Sequence, residues 1–407
     1  EKMADRTFEG FMSSKMLQAA AGWEAKTENE LLNNRVIAIN EVETEKMSNT
    51  ELVDYLIKTI NIARPGYNKN VIINILTCVA QGFLTVFSGM PGCGKTSICN
   101  IIAKVFGLNK YDGLSSTLKD INRFVSVSVE RGWTSKRDFI GYYNPLTKSF
   151  EENNRNVFEG LRLLDMEQRK GLKKWPFIIL LDEANLSPME YYWADFMNVC
   201  DDLSDNSSIN LGNNNVFHIP ETLHFLATIN NDHTTETLSP RLIDRAWIVS
   251  LPKNMVVQYE QIIPEDAVKN VTWDEIKNVF TMESYDVKGF DRETQAIYEG
   301  LKERLLHQGI YVSPRVDLAI QKYWVVASSL MEEDEYGNSS NIIAMDYAIA
   351  QKILPKINGS GDEYETWLEE LEKYCDSKGM VYSAELLTSI IHRGNKEMKY
   401  YQFFRIL

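Results

Sequence analysis

The stretch Leu84-Thr85-Val86-Phe87-Ser88-Gly89-Met90-Pro91-Gly92-Cys93-Gly94-Lys95-Thr96-Ser97 decides how the rest of the chain is read. An apolar run ends at Ser88, Gly89 to Thr96 then fit G-x-x-x-x-G-K-[ST], and Ile98, Ile101 and Ile102 follow at helical spacing. Strand, glycine turn and helix are the setting in which this motif cradles phosphate. Glycines let backbone N–H groups turn inward around phosphate oxygens, and the helix N-terminus adds partial positive charge. The expected roles are Lys95 on the β- and γ-phosphates and the Thr96 hydroxyl on Mg²⁺, with Gly89, Pro91, Gly92, Cys93, Gly94 and Ser97 completing the nucleotide-binding set.

Roughly 90 residues later a second apolar run, Phe177-Ile178-Ile179-Leu180-Leu181, ends in Asp182-Glu183. Asp182 at the carboxyl end of such a strand can hold a Mg²⁺-bound water, and Glu183 is placed to polarise an attacking water. Alone, an apolar strand ending in two acids is weak, since many such pairs are solvated loop residues. After a phosphate loop it is strong.

The other β-branched runs are 124–129, 223–229 and 246–250, with helical segments between them, which predicts a mostly parallel sheet covered on both faces. Beyond about Leu251 the strands stop and helical periodicity takes over, as in Leu318-Ala319-Tyr323-Trp324-Ala327. The expected fold class is therefore α/β, a three-layer parallel-sheet core at 51–255 followed by an all-helical region at 256–407. Residues 1–50 form a polar, partly helical or linker segment without evident chemistry. From Asn70 to Gly94 no residue is charged, but Asn74, Gln81, Gly82 and Pro91 interrupt the run, so a buried helix and strand are expected rather than a membrane span.

Composition agrees with a well-packed globular protein: 407 residues, 44 % hydrophobic, with 8 Trp, 19 Tyr and 17 Phe. Five cysteines without CxxC spacing indicate neither a disulfide framework nor a zinc site, and cytoplasm is the default expectation. The net charge of −14 is uneven, with −3 in residues 1–50, −1 in 51–255 and −10 in 256–407. That distribution argues against a protein that coats nucleic acid along its whole length. The first residue is Glu1 rather than methionine, which fits a preceding segment carrying targeting or recognition.

With both motifs in view, the chain resembles an AAA+ ATPase over about 51–407, closest to the branch of MoxR, dynein-related and McrB-like proteins. On that resemblance, the strand 225–229 delivers Asn230 as the sensor-1 residue that positions water. The alternating stretch 209–219 around its Asn/Gly turn is similar to the pre-sensor-1 hairpin. The segment Leu238-Ser239-Pro240-Arg241-Leu242-Ile243-Asp244-Arg245 lies where the family carries an arginine finger reaching a neighbouring subunit's γ-phosphate; Arg245 is the better match and Arg241 the second. Val312-Ser313-Pro314-Arg315 resembles sensor 2, which implies that Arg315 touches the phosphate bound by its own chain and that hydrolysis changes the angle between core and lid. Residues 131–143 and 352–359 also resemble the dynein-related and restriction-type modules.

The resemblance implies a Mg²⁺-dependent nucleoside triphosphatase working as a ring, hexameric in the family. GTP-using McrB-like proteins share a segment M-N-T-A-D-R-S; here residues 229–235 keep only the Asn and the final hydroxyl, so ATP is expected over GTP. A restriction or antiviral defence system, with a nuclease or other effector partner and DNA as possible substrate, is the leading expectation. A MoxR-like ATPase that remodels protein is the alternative, and a nucleotide-binding scaffold the third. Arg169, Lys170, Lys173 and Lys174 read as a solvated helix end rather than a pore lining, and Tyr191-Tyr192-Trp193 as core packing.

Overall fold

A computed structural model of the chain describes residues 27–113, 120–147, 149–201, 207–213, 215–231, 235–251 and 262–404. The expected boundary at 255/256 and residues 232–234 of the nucleotide-preference segment lie outside the described residues.

Six parallel strands form the central sheet: β1 (Leu84–Gly89), β2 (Asn109–Lys110), β3 (Asn122–Ser128), β6 (Phe177–Asp182), β9 (Leu223–Asn230) and β10 (Trp247–Ser250), in the order β10-β1-β9-β6-β3-β2. Side chains of β1, β6, β9 and β10 are buried on both faces, as a parallel sheet covered by helices requires, whereas the edge strand β2 is exposed and β3 exposes Ser126 and Ser128. Two short antiparallel hairpins stand outside the sheet, β4 (Gly141–Asn144) with β5 (Ser149–Glu152) and β7 (Ser208–Asn210) with β8 (Val216–His218). The second is the hairpin expected from the alternation at 209–219.

Helices 27–40 (α1), α2 (Asn49–Ala63), α3 (Lys69–Gln81), α4 (Lys95–Val105), α5 (Lys136–Phe139), α6 (Arg155–Lys170), α7 (Met189–Tyr192), α8 (Ala194–Val199) and α9 (Pro240–Arg245) surround the sheet. Side chains set their ends: Ser48 builds a capping box on α2, Asn68 and Asn154 cap α3 and α6, and Gly171 in the left-handed region ends α6. Within α1, Leu32, Val36 and Ile39 are buried at i, i+4, i+7, and Arg35 reaches Gly113 O at 2.6 Å. This helix is part of the core's packing. Arg169 pairs with Asp165 within α6 at 2.9 Å, and Lys174, beyond the helix, donates to Val42 O at 2.5 Å and joins this turn to the segment after α1. Tyr192 and Trp193 are fully buried among Phe83, Phe139, Phe196 and Phe225, whereas Tyr191 is exposed.

The C-terminal region is helical, with α10 (Trp273–Phe280), α11 (Arg292–His307), α12 (Pro314–Leu330), α13 (Ser340–Lys352), α14 (Asp362–Ser377) and α15 (Val381–Lys396). It departs from an all-helical plan in one place: β11 (Asn358–Ser360) and β12 (Tyr400–Gln402) pair antiparallel. Tyr401 is fully buried against Gly394 of α15, where an added Cβ would collide with the ring. Gly394→Ala is expected to cost about 1–3 kcal/mol through overpacking, read as a lower chemical-denaturation midpoint.

This lid is fixed to the core by buried polar contacts. Asn74 Oδ1 on α3 accepts from Tyr323 Oη (2.5 Å) and Gln351 Nε2 (2.7 Å), and Tyr382 Oη donates to Ser250 O at 2.9 Å. Tyr323 also lies against Trp247, with ring centres 4.9 Å apart.

Candidate nucleotide site

Register brings the two motifs together. Gly89 stands opposite Asn230 across β1 and β9, and Leu181 opposite Ala227 across β6 and β9, so the loops leaving β1, β6 and β9 emerge side by side at the carboxyl ends of the strands. Gly92 and Gly94 sit at φ +81° and +86°, conformations that a Cβ would strain, and Gly94 leads directly into the first turn of α4. The loop is thus a backbone cradle ending on a helix N-terminus.

Lys95 curls back over this cradle, its Nζ donating to Gly89 O and Met90 O at 2.9 Å each. Thr96 Oγ1 donates to Asp182 Oδ1 at 2.8 Å, closing the loop onto the end of β6. Thr228 Oγ1 donates to the same carboxylate oxygen at 2.6 Å and accepts from the Glu183 N–H at 2.8 Å. Glu183 is exposed and has φ +54°, a left-handed backbone that a residue with a side chain rarely adopts. Its carboxylate is held by its backbone rather than by packing.

Two residues that support this arrangement have no motif of their own. Thr228 lies two positions before Asn230 on the same face of β9, and alternation along the strand is the signal that could have found it. Asn185 is 4 % exposed and bridges the acid loop to the end of β9: its Oδ1 accepts from Asn230 N (3.1 Å), and its Nδ2 donates to Asn230 O (2.7 Å) and Glu236 O (3.1 Å). Next to Asn230, Asn231 Nδ2 donates to Ser88 Oγ at 2.8 Å and pins β9 to β1.

Thr96 and Asp182 offer oxygen donors in direct contact at a helix N-terminus beside a phosphate cradle. That donor chemistry fits Mg²⁺, a hard cation that keeps water and phosphate in its shell. The same carboxylate already accepts two hydroxyl hydrogens, so it is oriented before any ligand arrives.

Arg241, Arg245 and Arg315 lie elsewhere. Arg245 ends α9 two residues before Trp247, and Trp247 pairs with Thr85 near the amino end of β1. The strand from Leu84 to Gly89, roughly 17 Å of extended chain, therefore separates Arg245 from the phosphate loop. Its Nη2 meets Asp201 Oδ2 at 2.5 Å, while Arg241 is exposed at the start of α9. Arg315 corrects the sequence expectation. Instead of approaching its own chain's phosphate loop it joins Arg245 at the far end, with Nη2 at 2.9 Å from Asp201 Oδ1. The reason is the docking of α12, which begins at Pro314: Ser313 and Lys356 both bind Asp244 beside Arg245, which holds the start of the helix there. Burial alone would raise the Asp244 carboxyl, but Lys356 and Ser313 outweigh it and hold the group below its ordinary value.

Among the described residues, Arg393 on α15 is a lid cation that shares a cavity with the loop. It lines a cavity of about 400 Å³ together with Gly89, Met90, Asn231 and Leu251. Burial pushes its guanidinium down from the usual value, yet it stays charged at neutral pH.

Residues 85–246 match the model of the ATPase family associated with various cellular activities (AAA). Residues 268–400 match a domain of unknown function, DUF8727. No curated protein matches the chain. A solved structure from Cytophaga hutchinsonii, described as that of a "putative ATPase", is similar at 16 % identity and a TM-score of 0.48, over 81 % of this chain and 90 % of that one. Among the described residues, no helix is long and apolar enough to cross a membrane.

Proposed function

We propose that the chain is one subunit of a Mg²⁺-dependent nucleoside triphosphatase ring, with ATP preferred, whose catalytic site is completed by the next copy. The observation that carries this reading is the split arrangement: loop, Asp182 and Glu183 together at one end of the sheet, Arg245 and Arg315 together at the other. A head-to-tail contact between copies would bring the two ends into one site.

In that site the 89–96 backbone and Lys95 bind the phosphates, and Lys95 exchanges its two loop carbonyls for β- and γ-oxygens. Thr96 and Asp182 would hold Mg²⁺, which supplies charge neutralisation on the phosphates when bound. Glu183 orients and takes a proton from the attacking water, and Asn230, fixed by Asn185, positions it. Arg245 and Arg315 of the neighbour balance charge as the γ-phosphoryl leaves, with Arg241 the second candidate. Arg393 serves as the lid contact within the same chain. Arg245→Ala or Arg315→Ala should each lower kcat, by about 10³-fold for the finger proper, while nucleotide affinity changes little. Arg393→Ala should chiefly weaken nucleotide binding.

Because Arg315 faces a neighbour and the Asn74–Tyr323–Gln351 cluster binds lid to core, the output of hydrolysis is a movement between subunits rather than a hinge within one. The exposed hairpin tip at Leu146 supplies a surface for a macromolecular substrate. We place the ring, taken as a hexamer, in a bacterial restriction or antiviral defence system, coupled to a nuclease or other effector acting on DNA. The net −10 of residues 256–407 favours the second reading, a MoxR-like ATPase that remodels protein. Hydrolysis of ATP and GTP, each with and without DNA over a salt series, decides between them. DNA stimulation that fades with salt supports the first reading, and indifference to DNA supports the second.

A further inference from the structure

Arg245 has no nitrogen to spare. Nε donates to Met197 O (3.3 Å), Nη1 to Arg241 O (2.8 Å) and Nη2 to Asp201 Oδ2 (2.5 Å), and the side chain is only 11 % exposed. Arg315, arriving from the lid, takes the other oxygen of the same carboxylate, Oδ1, at 2.9 Å. One acid therefore holds two guanidiniums, one from the core and one from the lid. Asp244 is the weaker partner of Arg315, pairing with its Nη1 at 3.9 Å, because its oxygens are already held by Lys356 at 2.9 Å and by Ser313.

A carboxylate and a terminal phosphate present a guanidinium with the same thing, paired anionic oxygens in one plane. Asp201 thus stands where a phosphate would stand. As drawn up by Asp201, neither arginine is extended from its own subunit. We propose that Asp201 is a positioning residue that keeps Arg245 and Arg315 inward in the free subunit and yields them to the triphosphate of a neighbouring copy on assembly. This rests on the reading that these arginines act across a subunit boundary.

The energetics suit an exchange. The Arg315–Asp201 pair, 42 % and 34 % exposed, is screened by water and weak, whereas Arg245, 11 % exposed and held by three partners, is the tighter of the two and the one that a phosphate must draw out. A triphosphate carries more negative charge, and a closed interface shields it from solvent, which strengthens its hold on both guanidiniums. With the neighbour's loop empty, nothing outbids Asp201. The acid thereby links assembly to nucleotide occupancy of the adjacent subunit.

The test is a titration of full-length protein against hydrolysis rate per subunit with Mg·ATP, for the parent, Asp201→Asn, Asp201→Ser and Asp201→Glu. Removing the charge should lower the concentration at half-maximal rate by about fivefold, the worth of one half-exposed ion pair, and Asp201→Glu should return it toward the parent. Lost structure does not produce such a gain. A half-maximal concentration that stays put or rises in both uncharged variants, with unchanged melting, overturns the proposal. Arg245→Ala and Arg315→Ala run alongside: if both hydrolyse at the parent rate, the reading of arginines acting in trans fails, whatever Asp201 does. If they are impaired and the Asp201 variants are not shifted, only the positioning role fails.

Discussion

Lys95→Ala is expected to abolish productive nucleotide binding while leaving the fold intact. The Nζ is a charged donor already trained on the mouth of the loop, where it holds Gly89 O and Met90 O. Losing a charge-assisted contact to phosphate in a partly closed site costs about 3 kcal/mol, or roughly 100-fold in Kd. The measurement is thermal stabilisation by Mg·ATP. A binder at 100 times its Kd gains about 2.7 kcal/mol from the ligand, and the variant should gain almost none at the same concentration. Lys95 is buried and its loss leaves two loop carbonyls without their donor, so the unliganded melting temperature should fall modestly, and stabilisation by Mg·ATP is read against each variant's own unliganded value. A variant that is stabilised as much as the parent would remove the phosphate loop from the account.

Glu183→Gln is expected to separate binding from chemistry. The carboxylate makes no packing contribution that glutamine cannot replace, and the positive φ that presents it is fixed by the bond from Glu183 N to Thr228. Nucleotide affinity should be retained or rise, while kcat falls about 10²- to 10⁴-fold, the usual worth of a positioned base. Thr228→Val tests the presentation itself. It removes one of the two hydroxyls on Asp182 and the acceptor for Glu183 N, and so should lower kcat without matching the loss from Glu183→Gln.

What could be read from the sequence and what could not divides along physical lines. The phosphate loop and the acid pair were legible because backbone geometry demands glycine, lysine and hydroxyl at fixed spacing, and because strand burial writes itself as unbroken apolar runs. The location of Arg315 was not. The Ser313-Pro314-Arg315 triplet specifies how a helix starts, but where that helix docks is set by Asn74, Tyr323 and Gln351, which are distant from one another in the chain. Asn185 escaped notice for a related reason, since a side chain that serves two backbone carbonyls and one N–H leaves no periodic trace. The hairpin at 141–152 carries a signal that could have been used, Tyr143 and Phe150 paired across Asn144-Pro145-Leu146-Thr147. The strands β11 and β12 are three residues each, too short for alternation to stand out, and owe their pairing to Tyr401 seated against Gly394.

The central claim is that the loop of one subunit and the arginines of another form one catalytic site, and mixing tests it most directly. Lys95→Ala subunits keep their arginines but bind nucleotide too weakly to fill at concentrations near the parent Kd; Arg245→Ala,Arg315→Ala subunits bind nucleotide but supply no arginine. Each should be inactive alone, and co-assembled mixtures should regain hydrolysis that peaks near equal proportions, because some interfaces then pair an intact loop with intact arginines. Mixed assemblies that stay inactive at every ratio, or a double-arginine variant fully active by itself, would contradict it.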